Sequence, residues 1–135
     1  MRKAYIVETA FGLFALDEVN KLVGYELYPG NPEKASVVAL KVEAGEVTPE
    51  VRRLVEKLKG EGYSPLIFEN ENLARNVKER MGVEVEVEGP NPAGEHVRSN
   101  LAQLAVETGY ADSPEKFYEA LREISTWISR FRVRE

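Results

Sequence analysis

The stretch that decides how the second half of this chain folds is Gly89-Pro90-Asn91-Pro92-Ala93-Gly94-Glu95-His96-Val97-Arg98-Ser99-Asn100-Leu101. The side chain of Asn91 can cap a helix, and Pro92 has the fixed φ angle that suits the first helical residue. A strand-like run therefore ends before this corner, and a helix begins in it and displays Glu95, His96 and Arg98 on its first turns. None of these residues forms a recognisable catalytic motif, so the corner favours binding over chemistry.

The same capping pattern occurs at three more places along the chain. A side chain that can cap a helix precedes a proline at Asn31-Pro32, Thr48-Pro49 and Ser113-Pro114. Each cap gives a partner to an otherwise unpaired backbone N–H and contributes about 1 kcal/mol. A fifth helix is predicted over residues 71–81, after Asn70. Glycine suits the conformation in which many helices end, so the predicted stops are Gly45, Gly60, Gly82 and Gly109.

Runs of β-branched and aromatic residues predict five strands. Residues 4–9 and 12–17 indicate a β-hairpin, and residues 22–28 add a third strand to give an antiparallel meander. Residues 65–69 and 83–88 flank the helix predicted over 71–81, which indicates a β-α-β passage with parallel pairing. Valine and glutamate alternate strictly over 83–88, so this edge strand should bury its valines and expose its glutamates. The predicted fold class is α/β (α+β), with the meander in a mixed sheet flanked by helices.

The last segment predicts a long amphipathic helix. Its apolar residues recur at intervals of three and four, at Phe117, Ala120, Ile124, Trp127 and Phe131. No glycine or proline ends this pattern, so we expect the helix to lead towards a coiled coil and the chain to be a fragment. The expected division is an α/β domain over residues 1–111 and the start of a helical region over residues 112–135.

Composition limits the possible functions. The 135 residues are 43% hydrophobic and 30% charged, which is enough for one domain with a real core. The net charge of −5 argues against a broad nucleic-acid surface, which needs a clustered excess of Lys and Arg. The lack of cysteine excludes disulfides and thiolate nucleophiles, and fits a reducing, cytoplasmic location. No segment approaches the roughly 20 apolar residues of a membrane span, so no membrane contact is expected.

One catalytic alternative remains open at this point. A three-stranded meander followed by α-β-α elements resembles ribonuclease H-like folds, in which carboxylates at strand ends hold metal ions. The candidates are Glu8, Asp17 and Glu69, which could meet if the first and fourth strands are neighbours. The single histidine, His96, has no nucleophile with a recognisable motif beside it, so we expect a surface or hydrogen-bonding role for it.

Four residue strings resemble the N-terminal domain of the Nop family, the scaffold proteins of box C/D small ribonucleoproteins, and particularly its shorter archaeal members. The strings are VETAFGLFALD at 7–17, FENENLA at 68–74, PNPAGE at 90–95 and VRSNL at 97–101. Together they span nearly the whole chain. None of them is a catalytic signature, so the resemblance depends on their order and spacing.

This resemblance implies a non-catalytic adaptor that needs no cofactor. In the family, this domain docks fibrillarin, which uses S-adenosylmethionine to methylate ribose 2′-hydroxyls. A following coiled coil pairs two scaffold chains, and a later Nop domain grips RNA. The implied partner is therefore fibrillarin, with RNA contact and self-association through regions that this sequence lacks. The candidate docking residues are Phe11, Asn91, Pro92, Glu95 and Arg98. An acidic adaptor with an unrelated partner is the second alternative.

Overall fold

The computed structural model describes residues 2–133. These residues form one sheet with strands β1 (Arg2–Glu8), β2 (Gly12–Leu16), β3 (Leu22–Leu27), β4 (Tyr63–Phe68) and β5 (Val85–Val87). The helices are α1 (Pro32–Glu43), α2 (Pro49–Gly60), α3 (Glu71–Met81), α4 (Pro92–Ser99), α5 (Leu101–Glu107) and α6 (Pro114–Val133). Within this part of the chain, no helix is long and apolar enough to cross a membrane.

The sheet is mixed, and its strand order is β3-β2-β1-β4-β5. The first three strands pair antiparallel as a meander, whereas β4 pairs parallel with both β1 and β5. The predicted meander, β-α-β passage and α/β fold class are therefore confirmed. Because β1 and β4 are parallel neighbours, the residues that follow them emerge at the same edge of the sheet.

Helices cover both faces of the sheet. A Cβ atom added to Gly24 would lie 3.0 Å from Leu54 Cδ1, so this position of β3 faces α2. The next residue, Tyr25, points to the opposite face, because side chains alternate along a strand. Its ring stacks on Phe14, with 6.4 Å between the ring centroids. On that face the core continues to α6 through a cluster of aromatic rings.

Phe11 is the centre of this aromatic cluster. Its ring centroid lies 4.8 to 5.3 Å from those of Phe14, Tyr110 and Phe117. Phe11 is 0% exposed. The expectation that Phe11 offers an apolar contact at the hairpin turn is therefore wrong for this conformation, because Tyr110 and the start of α6 cover the turn.

All five predicted helix starts are confirmed. Each capping side chain accepts a hydrogen bond from a backbone N–H three residues later, at Asn31, Thr48, Asn70, Asn91 and Ser113. The helix stops are confirmed at Gly45, Gly82 and Gly109, which have positive φ angles. The α2 stop differs, because Gly60 is still helical and Gly62 takes the positive φ of +87°.

The helix predicted between Asn91 and Gly109 is two helices. Asn100 separates α4 from α5 with φ −130° and ψ 27°, which are not helical angles. Its side-chain Nδ2 donates to the carbonyl oxygen of His96 at 2.8 Å. This amide side chain thus satisfies a carbonyl near the end of α4, which supports the break.

β5 is the predicted edge strand, but its valines are less buried than expected. Val83 and Val85 pack against the core as half-buried residues, whereas Val87 is 50% exposed. Among residues 2–133, only β4 pairs with this strand, and α3 packs against it. The alternating pattern correctly predicts which residues share a face, but the sheet edge leaves part of the valine face in water.

Helix α6 shares the core of the residues before it. Phe117 and Ile124 are fully buried, and α6 packs against α1 and α5. The guanidinium of Arg132 pairs with the carboxylate of Glu43 on α1, with an N–O distance of 2.6 Å. The expected division after residue 111 and the expected coiled coil remain predictions, and residues 134–135 lie outside the described part of the chain.

Replacing Phe11 tests the importance of the aromatic cluster. Phe11→Ala should lower the free energy of unfolding by about 3–5 kcal/mol, because it removes a fully buried ring and leaves a cavity. Urea denaturation followed by circular dichroism measures the change. Val19→Ala is the control, since Val19 is 80% exposed. A loss below about 1 kcal/mol for Phe11→Ala would contradict the proposed role of this ring.

Candidate functional site

The loop after β4 and the start of α4 meet at a site that we call the Glu69 corner, formed by Glu69, Asn91, Gly94 and Arg98. Arg98 donates to Glu69 from both terminal nitrogens, Nη1 to Oε1 and Nη2 to Oε2, each at 3.1 Å. The backbone N–H of Asn91 also donates to Glu69 Oε2, at 3.2 Å. A bidentate arginine and carboxylate pair fixes orientation as well as distance, so it holds α4 at a defined angle to the sheet.

Asn91 is a buried residue of this corner, and its side chain holds the start of α4 in place. It is 3% exposed, and its side-chain Oδ1 accepts from the N–H of Gly94 at 2.8 Å. Its Nδ2 donates to the carbonyl oxygen of Glu88 at 3.0 Å. One amide therefore caps α4 and ties the helix to the end of β5. Because Asn91 is buried, it holds the exposed residues of the corner in place and is not itself part of the exposed surface.

Gly94 allows the ion pair to lie against the helix. A Cβ atom at this position would clash with Glu69 Oε2 and would lie 2.7 Å from Arg98 Nη2. Such distances are too short for any side chain, so the close approach requires glycine. The sequence alone does not indicate this role for Gly94, because the approach of residue 69 is a tertiary contact.

Three of the five predicted site residues lie on the exposed side of the corner. Pro92, Glu95 and Arg98 are exposed on α4, and 48% of the Arg98 side chain is accessible. The hydrogen bond to Glu69 raises the pKa of Arg98, so the guanidinium keeps its charge. His96 is exposed on the same helix. Phe11 is separate from this group, in the aromatic cluster.

A cleft of about 410 Å³ lies beside the corner, and we call it the Glu8 cleft. Its charged and amide side chains are Glu8, Glu43, Glu69, Asn70, Arg98 and Arg132. The two adjacent parallel strands end at Glu8 and before Glu69, which explains why these two carboxylates are neighbours. The pKa of Glu8 is raised to about 7, mainly by burial; a hydrogen bond from Asn70 opposes this shift, and the nearby charges of Glu43 and Glu69 add to it.

The sequence does not indicate that Glu43 and Arg132 belong to this cleft. Asn70 brings the end of α1 to the sheet, because its Nδ2 donates to the carbonyl oxygens of Val42 and Glu43, at 3.3 and 3.0 Å. The same side chain caps α3 through Oδ1. The capping signal at Asn70 is visible in the sequence, but the position of α1 is not.

The structure does not bring together Glu8, Asp17 and Glu69, the three candidate metal ligands of the ribonuclease H-like alternative. Because β2 runs antiparallel to β1, Asp17 lies at the end of the sheet opposite to Glu8 and Glu69. There Asp17 Oδ1 accepts from the N–H groups of Val19 and Lys21, at 2.9 and 3.0 Å. Among residues 2–133, no group of three or more His, Asp or Glu side chains could hold a metal ion.

A family model described as "Archaeal Nop5/56-rel, N-terminal domain" matches residues 3–134. The chain belongs to this family. The solved structure of the Nop N-terminal domain of Methanocaldococcus jannaschii is similar to this Nop5/56-related domain, with a TM-score of 0.58, 20% identity and coverage of 97% of each chain. That similarity confirms the fold. No curated protein sequence matches the chain.

Gly94→Ala tests the close approach in this Nop5/56-related domain. The added methyl group should displace the flexible ends of the Glu69 and Arg98 side chains and lower the free energy of unfolding by about 0.5–1 kcal/mol, because the ion pair that it breaks is partly exposed. Gly60→Ala is the matched control, because a Cβ there meets nothing within 4 Å and the residue lies in a helix. This control should be neutral or stabilise by up to about 1 kcal/mol. Equal effects of the two variants in urea denaturation would contradict the steric argument.

Glu8 should make the stability depend on pH. Between its ordinary pKa of 4.5 and the raised pKa of about 7, the folded state keeps a proton that the unfolded state releases. The free energy of unfolding therefore falls as pH rises through this window. Glu8→Gln should leave stability nearly unchanged at about pH 4 and raise it by as much as about 3 kcal/mol at about pH 8. Urea denaturation at both pH values measures this difference, and an equal effect at both would contradict it.

Proposed function

We propose that this domain is a non-catalytic scaffold of a box C/D small ribonucleoprotein and that it docks fibrillarin. The observation that carries this proposal is the family match over residues 3–134. The domain would hold the methyltransferase in place so that guide-RNA pairing elsewhere in the particle brings the target ribose to it. Its contribution to ribose 2′-O-methylation is then position and not a reactive group.

The Glu69 corner is a suitable docking surface because its geometry is fixed before a partner arrives. Asn91 uses both ends of its amide, and the Glu69 carboxylate accepts three hydrogen bonds. A preorganised surface loses little conformational freedom on binding, which favours affinity. Pro92 and Glu95 extend the exposed side of this surface, and the accessible Arg98 can meet an acidic group of fibrillarin.

RNA binding belongs to another part of the assembly in this proposal. The net charge of −5 does not suit a phosphate-binding surface, which requires positive charge. Contact with RNA would come through a Nop domain, and self-association through a coiled coil, both in regions beyond this sequence. The proposed location of the assembly is the cytoplasm.

Arg98→Glu tests whether the corner is the docking surface. We expect it to weaken the binding of fibrillarin at least tenfold, or roughly 1.4 kcal/mol, because it reverses a charge on the exposed side of α4. Isothermal titration calorimetry with purified fibrillarin measures the dissociation constant. Arg53→Glu is the matched control, because Arg53 also pairs with an acid, Glu26, at 2.8 Å, at the opposite edge of the sheet.

Folding and partner identity need separate readouts in this experiment. Arg98→Glu places two carboxylates at the corner, so its thermal unfolding is compared with that of Arg53→Glu. Glu95→Lys provides a second charge reversal on the exposed side without removing the ion pair. If both α4 variants bind as well as the wild type, the docking surface lies elsewhere. If the wild type shows no binding at about tens of micromolar, fibrillarin is not the partner.

A further inference from the structure

The open side of β5 presents unused backbone hydrogen-bonding groups. The carbonyl oxygen of Glu84 accepts from the N–H of Leu66 at 3.0 Å, and the N–H of Glu88 donates to the carbonyl oxygen of Phe68 at 2.9 Å. These two glutamates therefore direct their backbone groups towards β4. Backbone groups alternate sides along a strand, so those of Val85 and Val87 point away from the sheet. In the part of the chain that the structure describes, no further strand lies beyond β5.

The two faces of this edge differ in chemistry. Val85 pairs with Leu66 and Val87 pairs with Phe68, so the valines lie on the sheet face that carries α3. The side chain of Val87 is half exposed there. Glu84, Glu86 and Glu88 are exposed and form no ion pair within residues 2–133, although Glu84 Oε2 accepts a hydrogen bond from Ser64 Oγ at 3.4 Å. One face of the edge is therefore partly apolar, and the other is strongly negative.

These charges determine which strand could pair with the edge. A second copy of β5 would bring glutamates against glutamates, and like charges on paired strands are destabilising. A basic strand would place its cations opposite three carboxylates that form no ion pair within residues 2–133. We propose that the β5 edge binds an extended segment of a partner protein in which lysine or arginine alternates with apolar residues.

The bound segment adds a sixth strand to the sheet. Its backbone exchanges hydrogen bonds with Val85 and Val87, while its basic side chains lie on the glutamate face and its apolar side chains lie over Val87. The edge also continues into the Glu69 corner, because the carbonyl oxygen of Glu88 accepts from Asn91. This binding mode requires neither fibrillarin nor the Glu69 corner, so it goes beyond the proposed scaffold function and is tested without it.

Two synthetic peptides of roughly eight residues test the proposal, since strands of this length are common. In the first, lysine and valine alternate; in the second, the same residues stand in one lysine block and one valine block. Both have the same charge, but only the first can place its cations on one face of a strand. We expect the alternating peptide to bind at least tenfold more tightly, a difference of roughly 1.4 kcal/mol, and to shift the amide NMR signals of Val85 and Val87.

Val87→Pro removes the outward N–H without breaking a hydrogen bond to β4, and proline is tolerated on an edge strand in this orientation. It should weaken the alternating peptide about tenfold. Val87→Thr is the matched control, because threonine keeps the N–H and suits a strand, and it should change the dissociation constant less than about threefold. Thermal unfolding of both variants establishes that the domain remains folded.

Three results would overturn the proposal. Equal affinity for the two peptides would mean that charge alone attracts them. Unchanged binding by folded Val87→Pro would mean that the peptide does not pair with the edge. No binding of the alternating peptide at about 1 mM would mean that the edge has no such site. None of these results bears on fibrillarin docking, which has its own titration.

Discussion

The ion pair between Glu69 and Arg98 sets the orientation of α4 against the end of β4. Glu69 follows β4, which lies between β1 and β5, and Arg98 lies near the end of α4, so their bidentate contact connects two elements that are distant in sequence. Gly94 leaves the space for this contact, and Asn91 fixes the start of the helix. Because the pair is partly exposed, its contribution to stability is modest. Its importance lies in the orientation that it sets.

Asparagine side chains perform a similar function elsewhere in the structure. Asn70 caps α3 and also donates to the last carbonyl groups of α1, while Asn76 Nδ2 donates to the carbonyl oxygen of Gly45 at 2.7 Å. An amide can accept and donate at once, so it can satisfy a helix start and a neighbouring helix end together. Asn70 and Asn76 both join α3 to the end of α1, and Asn70 also lines the Glu8 cleft.

The sequence predicts the parts of this fold that depend on local contacts. Caps at Asn31, Thr48 and Asn91 act over three residues, so the helix starts are correct. Contacts between distant residues were not predictable in this way. The burial of Phe11 depends on Phe117, at the other end of the chain. The break at Asn100 is an exception, because its hydrogen bond to His96 is local although the sequence pattern indicates one helix. The same distinction applies to the candidate site. The capping role of Asn91 is local and could be predicted, whereas the Glu8 cleft forms only where α1 and α6 come together.

The aromatic cluster has a consequence for the protein while it is being made. Phe11 leaves the ribosome early, whereas Tyr110 and Phe117, which cover it, are among the last parts of the domain to be translated. The pair between Glu43 and Arg132 likewise spans 89 positions. Until α6 emerges, the N-terminal hairpin displays an uncovered ring that can associate with other nascent chains.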